Sequence, residues 1–145
     1  MIYIVTLKDI YTALCSCITE STNIIAVDSD IEEPVERPAF KVFMDTVNTG
    51  FYSSGLRQVK VYFNIYYYAK NKNRSKGEIM DIEDTLGAVF LKPLRIKESC
   101  AVYIDDPKFE KVEDGILCCS FNFEIATEFI DESGLENMEE LVIKN

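Results

Sequence analysis

The first regular pattern along the chain is helical. Leu7, Ile10, Leu14, Cys17 and Ile18 recur at the spacing of one helix face and predict a helix over 6–20. Thr6 stands where a cap belongs, with Asp9 three residues on as an approximate capping box. The run NIIAVDS at 23–29 predicts a short strand. Residues 28–38 hold two prolines and five acids and predict an exposed loop. The glycine and alternating acids of a calcium-binding loop are missing there, so the carboxylates are read as solvated.

From residue 39 the period changes from 3.6 to two. AFKVFMDTV (39–47) alternates and predicts a strand, and NTGFYSSG (48–55) reads as turn, punctuated by Gly50 and Gly55. The stretch that follows, RQVKVYFNIYYYAKNKNRSK (57–76), packs five aromatic rings into the seven residues 62–68 and then becomes basic. As a strand, it sends Val59, Val61, Phe63, Ile65, Tyr67 and Ala69 one way, and Lys60, Tyr62, Asn64, Tyr66 and Tyr68 the other. Thirteen residues span roughly 43 Å, so such a strand either bends with its sheet or projects as a hairpin arm. Its first face is core. Its second is amphipathic, because tyrosine joins an apolar ring to a polar tip.

Ser75 and Glu78 form a predicted capping box for a helix whose buried stripe is Ile79, Ile82, Leu86, Val89 and Phe90, stopped near Pro93. A strand to about residue 106, a turn and a strand over 108–115 follow, with Asp114-Gly115 as a tight turn. The last strand, 116–129, alternates most clearly. Leu117, Cys119, Phe121, Phe123, Ile125 and Phe129 face the core, and Cys118 and Cys119 fall on opposite faces. From about 130 the tail is acidic with a few apolar residues, and a short docked helix is expected of it. The order α–β–β–β–α–β–β–β predicts an α+β fold. A mainly antiparallel sheet with long central strands carries two or three helices, mostly on one face.

Composition narrows the function. With 145 residues the chain suits a single domain spanning 1–145, and its 48% hydrophobic content supports a real core. The start MIYIVTLKD lacks the basic region and cleavage site of a signal peptide, and no run of about 18 apolar residues exists. A protein made and kept in a cytoplasm is expected. The five cysteines, Cys15, Cys17, Cys100, Cys118 and Cys119, lack metal-site spacing and are read as reduced thiols filling core gaps. There is no histidine, which excludes catalysis that needs imidazole.

The net charge of −10 is unevenly placed. Residues 57–97 hold nine Lys/Arg against four Asp/Glu, and the remainder six against 21. Such polarity suits head-to-tail association of copies, while the acidic whole argues against broad nucleic-acid binding. The dense positive run Lys70, Lys72, Arg74 and Lys76 has two readings: a loop meeting an acidic partner or nucleic acid, or a solvated connector. No phosphate loop or nucleophile elbow exists. Asp45, Glu98 and Lys60 could form a metal-nuclease triple on paper, as an acidic chain always allows. No metal or cofactor is implied. Tyr62, Tyr66 and Tyr68 mark either a subunit contact or a layer packed under the Ile79–Phe90 helix.

Several of these stretches together, RPAFKVFMDTV, the long aromatic strand, the helix after it and VEDGILCCSFNFEI, resemble a known family over roughly residues 6–130. It is that of the tail terminator proteins of Gram-positive phages and phage-tail-like particles with contractile tails. The resemblance implies a non-enzymatic structural protein, assembled in the bacterial cytoplasm into a virion or tail-like bacteriocin. A ring, usually a hexamer, caps the head-proximal end of the tail tube, stops tube and sheath growth and faces the neck or collar. The implied partners are other copies, the tube and sheath proteins and a neck protein, with non-specific contact to DNA in the lumen. No landmark in the sequence separates a terminator from a head–tail joining protein, and a small metal-dependent nuclease or a monomeric binding module are the readings from other classes.

Overall fold

A computed structural model describes residues 2–27, 36–98 and 100–130. The chain opens with β1 (Ile2–Tyr3) and α1 (Leu7–Thr22). The Thr6 hydroxyl accepts from the Asp9 amide at 3.1 Å, and the Asp9 carboxylate accepts from the Thr6 amide at 3.0 Å, so the expected capping box is formed. That Thr6 amide, with Lys97 3.2 Å away, holds the Asp9 carboxyl below its ordinary value. The helix ends at Asn23, which adopts the left-handed conformation (φ 59°) that Asn tolerates. The strand expected from 23 is therefore shorter: β2 is Ala26–Val27, and residues 28–35 lie outside the described residues.

Three long strands make the body of the sheet: β3 (Ala39–Ser53), β4 (Leu56–Tyr68) and β8 (Ile116–Ile130). The turn expected across 48–55 is confined to Ser54-Gly55, with Gly55 at φ 78°. Gly50 stays in the ladder opposite Gln58, and an irregularity between Met44 and Thr46 re-phases β3 against β4. β4 pairs antiparallel with β8 from Leu56↔Glu128 to Tyr68↔Ile116. Paired along both edges, β4 is the sheet's centre and not a projecting arm.

After β4 come α2 (Lys76–Val89), β5 (Leu94–Lys97), β6 (Cys100–Val102) and β7 (Lys108–Glu113). The sheet order is β1-β8-β4-β3-β2, with β7 also on β8, and among the described residues only β2–β3 is parallel. The region expected as one strand to about 106 is instead a separate β5–β6 hairpin, with β5 against α1.

One core joins the helices to one sheet face. Val59, Val61, Phe63, Ile65 and Tyr67 of β4 are at most 2% exposed. Facing them from the helices are Ile10, Leu14 and Ile18 of α1 and Ile79, Ile82 and Leu86 of α2. Phe90, just past α2, meets Phe121 at 5.2 Å. Side chains of this size each contribute about 1.5–3 kcal/mol on burial. The architecture is α+β, with long antiparallel strands and both described helices on one face.

Candidate assembly surface

The other face of the sheet carries no described helix. Strict alternation along β4 delivers Lys60, Tyr62, Asn64, Tyr66 and Tyr68 there, all half-buried. Their neighbours follow from the strand registers. β3 places Lys41 opposite Tyr66 and Phe43 opposite Asn64, and β8 places Cys118 opposite Tyr66 and Asn122 opposite Tyr62. Phe43 meets Tyr66 edge-on at 5.5 Å between ring centres. The Arg37 guanidinium and the Lys41 ammonium lie 5.5 and 6.0 Å from the Tyr68 ring, and Lys60 lies 5.3 Å from Tyr62. Glu124 on β8 pairs with Lys60 at 3.6 Å and accepts from Gln58 at 2.7 Å.

Tyr66 and Cys118 are held in their neutral forms. Burial, with the nearby Cys118 and Asp45, raises the Tyr66 phenol. Burial likewise raises Cys118, whose thiol lies 3.7 Å from the Asn64 amide oxygen. The surface therefore offers neutral rings and amides, with Lys60 and Glu124 paired upon it and Lys41 buried beside Tyr68. Such side chains supply contact area and hydrogen bonds to another protein. A depression of about 430 Å³ opens beside Tyr62 and Asn64, bounded by Asp105, Asp106 and Lys108.

The basic loop lies at one end of this sheet. Lys70, Lys72, Arg74 and Lys76 are all exposed. Their backbone is held firmly. The Asn71 side chain accepts from the amides of Asn73 and Arg74, at 3.2 and 3.1 Å. The Ala69 amide donates to the Gly115 carbonyl at 2.8 Å. Gly115 has φ 75°, and a Cβ there would sit 2.9 Å from the Lys72 Cα, so the β7–β8 turn needs glycine twice over.

The expected Ser75 capping box does not form. Ser75 makes no side-chain cap bond, and Glu78 is drawn off by stronger donors. It accepts from the Tyr67 hydroxyl at 2.6 Å and from the Lys70 amide at 2.7 Å. Burial alone would raise the Glu78 carboxyl, but these bonds, the Asn71 amide and the Lys70 charge outweigh it and hold it below its ordinary value.

Other sequence expectations resolve variously. Tyr62, Tyr66 and Tyr68 do not pack under α2, which covers the opposite face. The paper triple is not assembled. Lys60 lies on the tyrosine face and pairs with Glu124, while Glu98 sits in the β5–β6 turn on the α1 side. Cys119 is in the core, where burial pushes its thiol up to about 12. Cys15, Cys17 and Cys100 pack at the core's margin, whereas Cys118 is on the tyrosine face and fills no core gap. Phe43, Lys41 and Glu124 were not singled out as members of this surface. The alternation of 39–47 already carried the signal for the first two. The expected helix of the acidic tail lies outside the described residues.

A sheet sealed by helices on one side and tyrosine-lined on the other is the make-up of a small α+β protein. The family model of the phage tail terminator protein matches residues 9–134, and the chain belongs to that family. The family is a structural one of the phage tail end, associated with other tail components. No curated protein matches the sequence.

Proposed function

We propose that the chain forms a ring, a hexamer, that caps the head-proximal end of a tail tube. In that place it stops growth of tube and sheath and presents a surface to the neck. The particle is a contractile-tailed phage of a Gram-positive host or a headless tail-like bacteriocin, and assembly takes place in the bacterial cytoplasm. The family match over residues 9–134 carries this reading. The tyrosine face supports it. Tyr62, Tyr66 and Tyr68 are half-buried in the isolated chain and rimmed by charge, as suits the core and rim of a subunit contact. The exposed Phe51 and Tyr52 near the β3–β4 turn (81% and 58% exposed) add apolar surface for tube or neck.

Tail length tests the reading. An early stop codon in this gene, with induced particles imaged in negative stain, is expected to give overlong or ragged tubes. Normal-length tails detached from heads would assign the chain to the neck-joining proteins instead. Complete, unchanged particles would overturn the structural reading.

A further inference from the structure

At the start of α2 the surface opens into a cleft of about 360 Å³, lined among others by Lys72, Arg74, Ser75, Lys76, Lys111 and Asp114. Lys111 pairs with Asp114 at 3.6 Å, but Lys72, Arg74 and Lys76 have no ion-pair partner among the described residues. Ser75 is only 6% exposed, yet its hydroxyl has no hydrogen-bond partner among the described residues. Fully enclosed side-chain N and O atoms of the described residues all have partners, so the Ser75 hydroxyl retains an opening, and Ser75 lines this cleft. The uncapped amides of a 14-residue helix begin at the same point. Cations, a waiting hydroxyl and a helix N-terminus together make a carboxylate site.

The chain holds a matching segment. Residues 131–145 contain Asp131, Glu132, Glu136, Glu139 and Glu140 against a single Lys144. They follow Ile130, the far end of β8, whereas the cleft lies beyond Tyr68, which pairs with Ile116 at the near end. A strand of 15 residues separates the two ends by about 45–50 Å. The acidic stretch 131–140, fully extended, reaches at most about 36 Å. Only its last acids, at full stretch, approach the chain's own cleft.

Resting on the ring reading, we propose that residues 131–140 of one copy dock in the Lys72–Arg74–Lys76 cleft of the next. The contact is heterologous: the acidic end of each subunit meets the basic end of its neighbour, and the ring closes on repetition.

Two charge-reversed chains test this in a strain whose own copy carries the stop codon. The first carries Lys72→Glu, Arg74→Glu and Lys76→Glu, and the second carries Glu132→Lys, Glu136→Lys, Glu139→Lys and Glu140→Lys. Each alone is expected to lose normal-length tails, down to the level of the stop codon, while its thermal melting stays near that of the original chain. Co-expressed, they are expected to restore normal tails, because each negative tail finds a positive cleft and each positive tail a negative one. Normal tails from the second chain alone would overturn the docking and assign the cleft to another anion, nucleic acid included. Restoration only when both sets are in one chain would overturn docking between copies. A stop codon without effect on tails would defeat the terminator reading instead. Carboxylate–amine crosslinking of mixed isotope-labelled and unlabelled full-length chain keeps the docking testable even then. Mixed-label links from Lys72 or Lys76 to Glu132–Glu140 are expected, and their absence up to millimolar protein would overturn it.

Discussion

Tyr66, Tyr67 and Tyr68 are adjacent in sequence and live in two different environments. Tyr67 enters the core, 2% exposed, its ring against Phe40 and its hydroxyl donating to Glu78 at 2.6 Å. Tyr66 and Tyr68 stand half-buried on the opposite face, beside Phe43 and the cations Arg37 and Lys41. The same side chain therefore serves as a core filler whose hydroxyl has a dedicated acceptor, and as a half-buried ring beside another ring or a cation. The comparison extends to the whole sheet: one face is closed by helices, and the other meets no described helix. On the proposed reading, this aromatic and helix-free face is the one that meets a partner.

Breaking the sealed face has the largest effect. Phe63 is 1% exposed, tilted against Phe121 at 5.7 Å and stacked on Phe123 at 5.9 Å. Phe63→Ala is expected to cost about 3–5 kcal/mol, read by urea denaturation, and to remove assembly only through the fold. A smaller loss is expected at the edge of the tyrosine face. Gly115→Ala forces a side chain onto φ 75° and against the Lys72 backbone. A loss of about 1–3 kcal/mol should appear as a lower melting temperature. An unchanged melt would mean that the basic loop is not pinned to this turn.

The sharpest use of the comparison is the pair Tyr66→Ser with Tyr68→Ser. On the open face the two changes remove ring contacts of about 0.5–1.5 kcal/mol each. The monomer should stay folded by circular dichroism while incorporation into particles, measured by immunoblot of purified tails, is lost. Loss of the fold would show instead that these rings are structural. Full incorporation would remove them from any subunit contact.

Much of this was legible from period alone. The alternation of β4 and β8 sorted their side chains by face because each strand has one buried face, and a slip by one residue would invert every position; Phe129, expected in the core, lies beyond its end against Tyr3. What alternation could not tell was which face the helices cover, since both faces of β4 carry aromatic rings. Local signals failed where tertiary contacts outbid them. Gly50 reads as a turn, but the β3–β4 register opposite Gln58 carries the strand past it. Ser75 and Glu78 read as a capping box, but Tyr67 and Lys70 take the carboxylate. The β5–β6 turn was missed because IKESC offers no Gly, Pro or Asn. The candidate surface was half visible: its tyrosines lie in one strand, whereas Phe43 and Glu124 join it through strand pairing.

The smallest effect tests what fastens the sealed face to the basic loop. Glu78 is ionised in the fold with its carboxyl held below the ordinary 4.5. A carboxyl lowered by folding stabilises the native state above its unfolded pKa and loses that contribution as pH falls through the folded value. Native stability should therefore decline as pH drops below about 4.5, and part of the decline belongs to Glu78. Glu78→Gln keeps the shape of the acceptor and removes the charge. At pH 7 it should cost about 1 kcal/mol, and as pH falls toward 3 the gap to the original chain should close. Asp9, also held low, remains in both chains, so the variant should keep some acid sensitivity. A gap that stays constant from pH 7 to pH 3 would show that the Tyr67–Glu78–Lys70 link draws nothing from the carboxylate's charge.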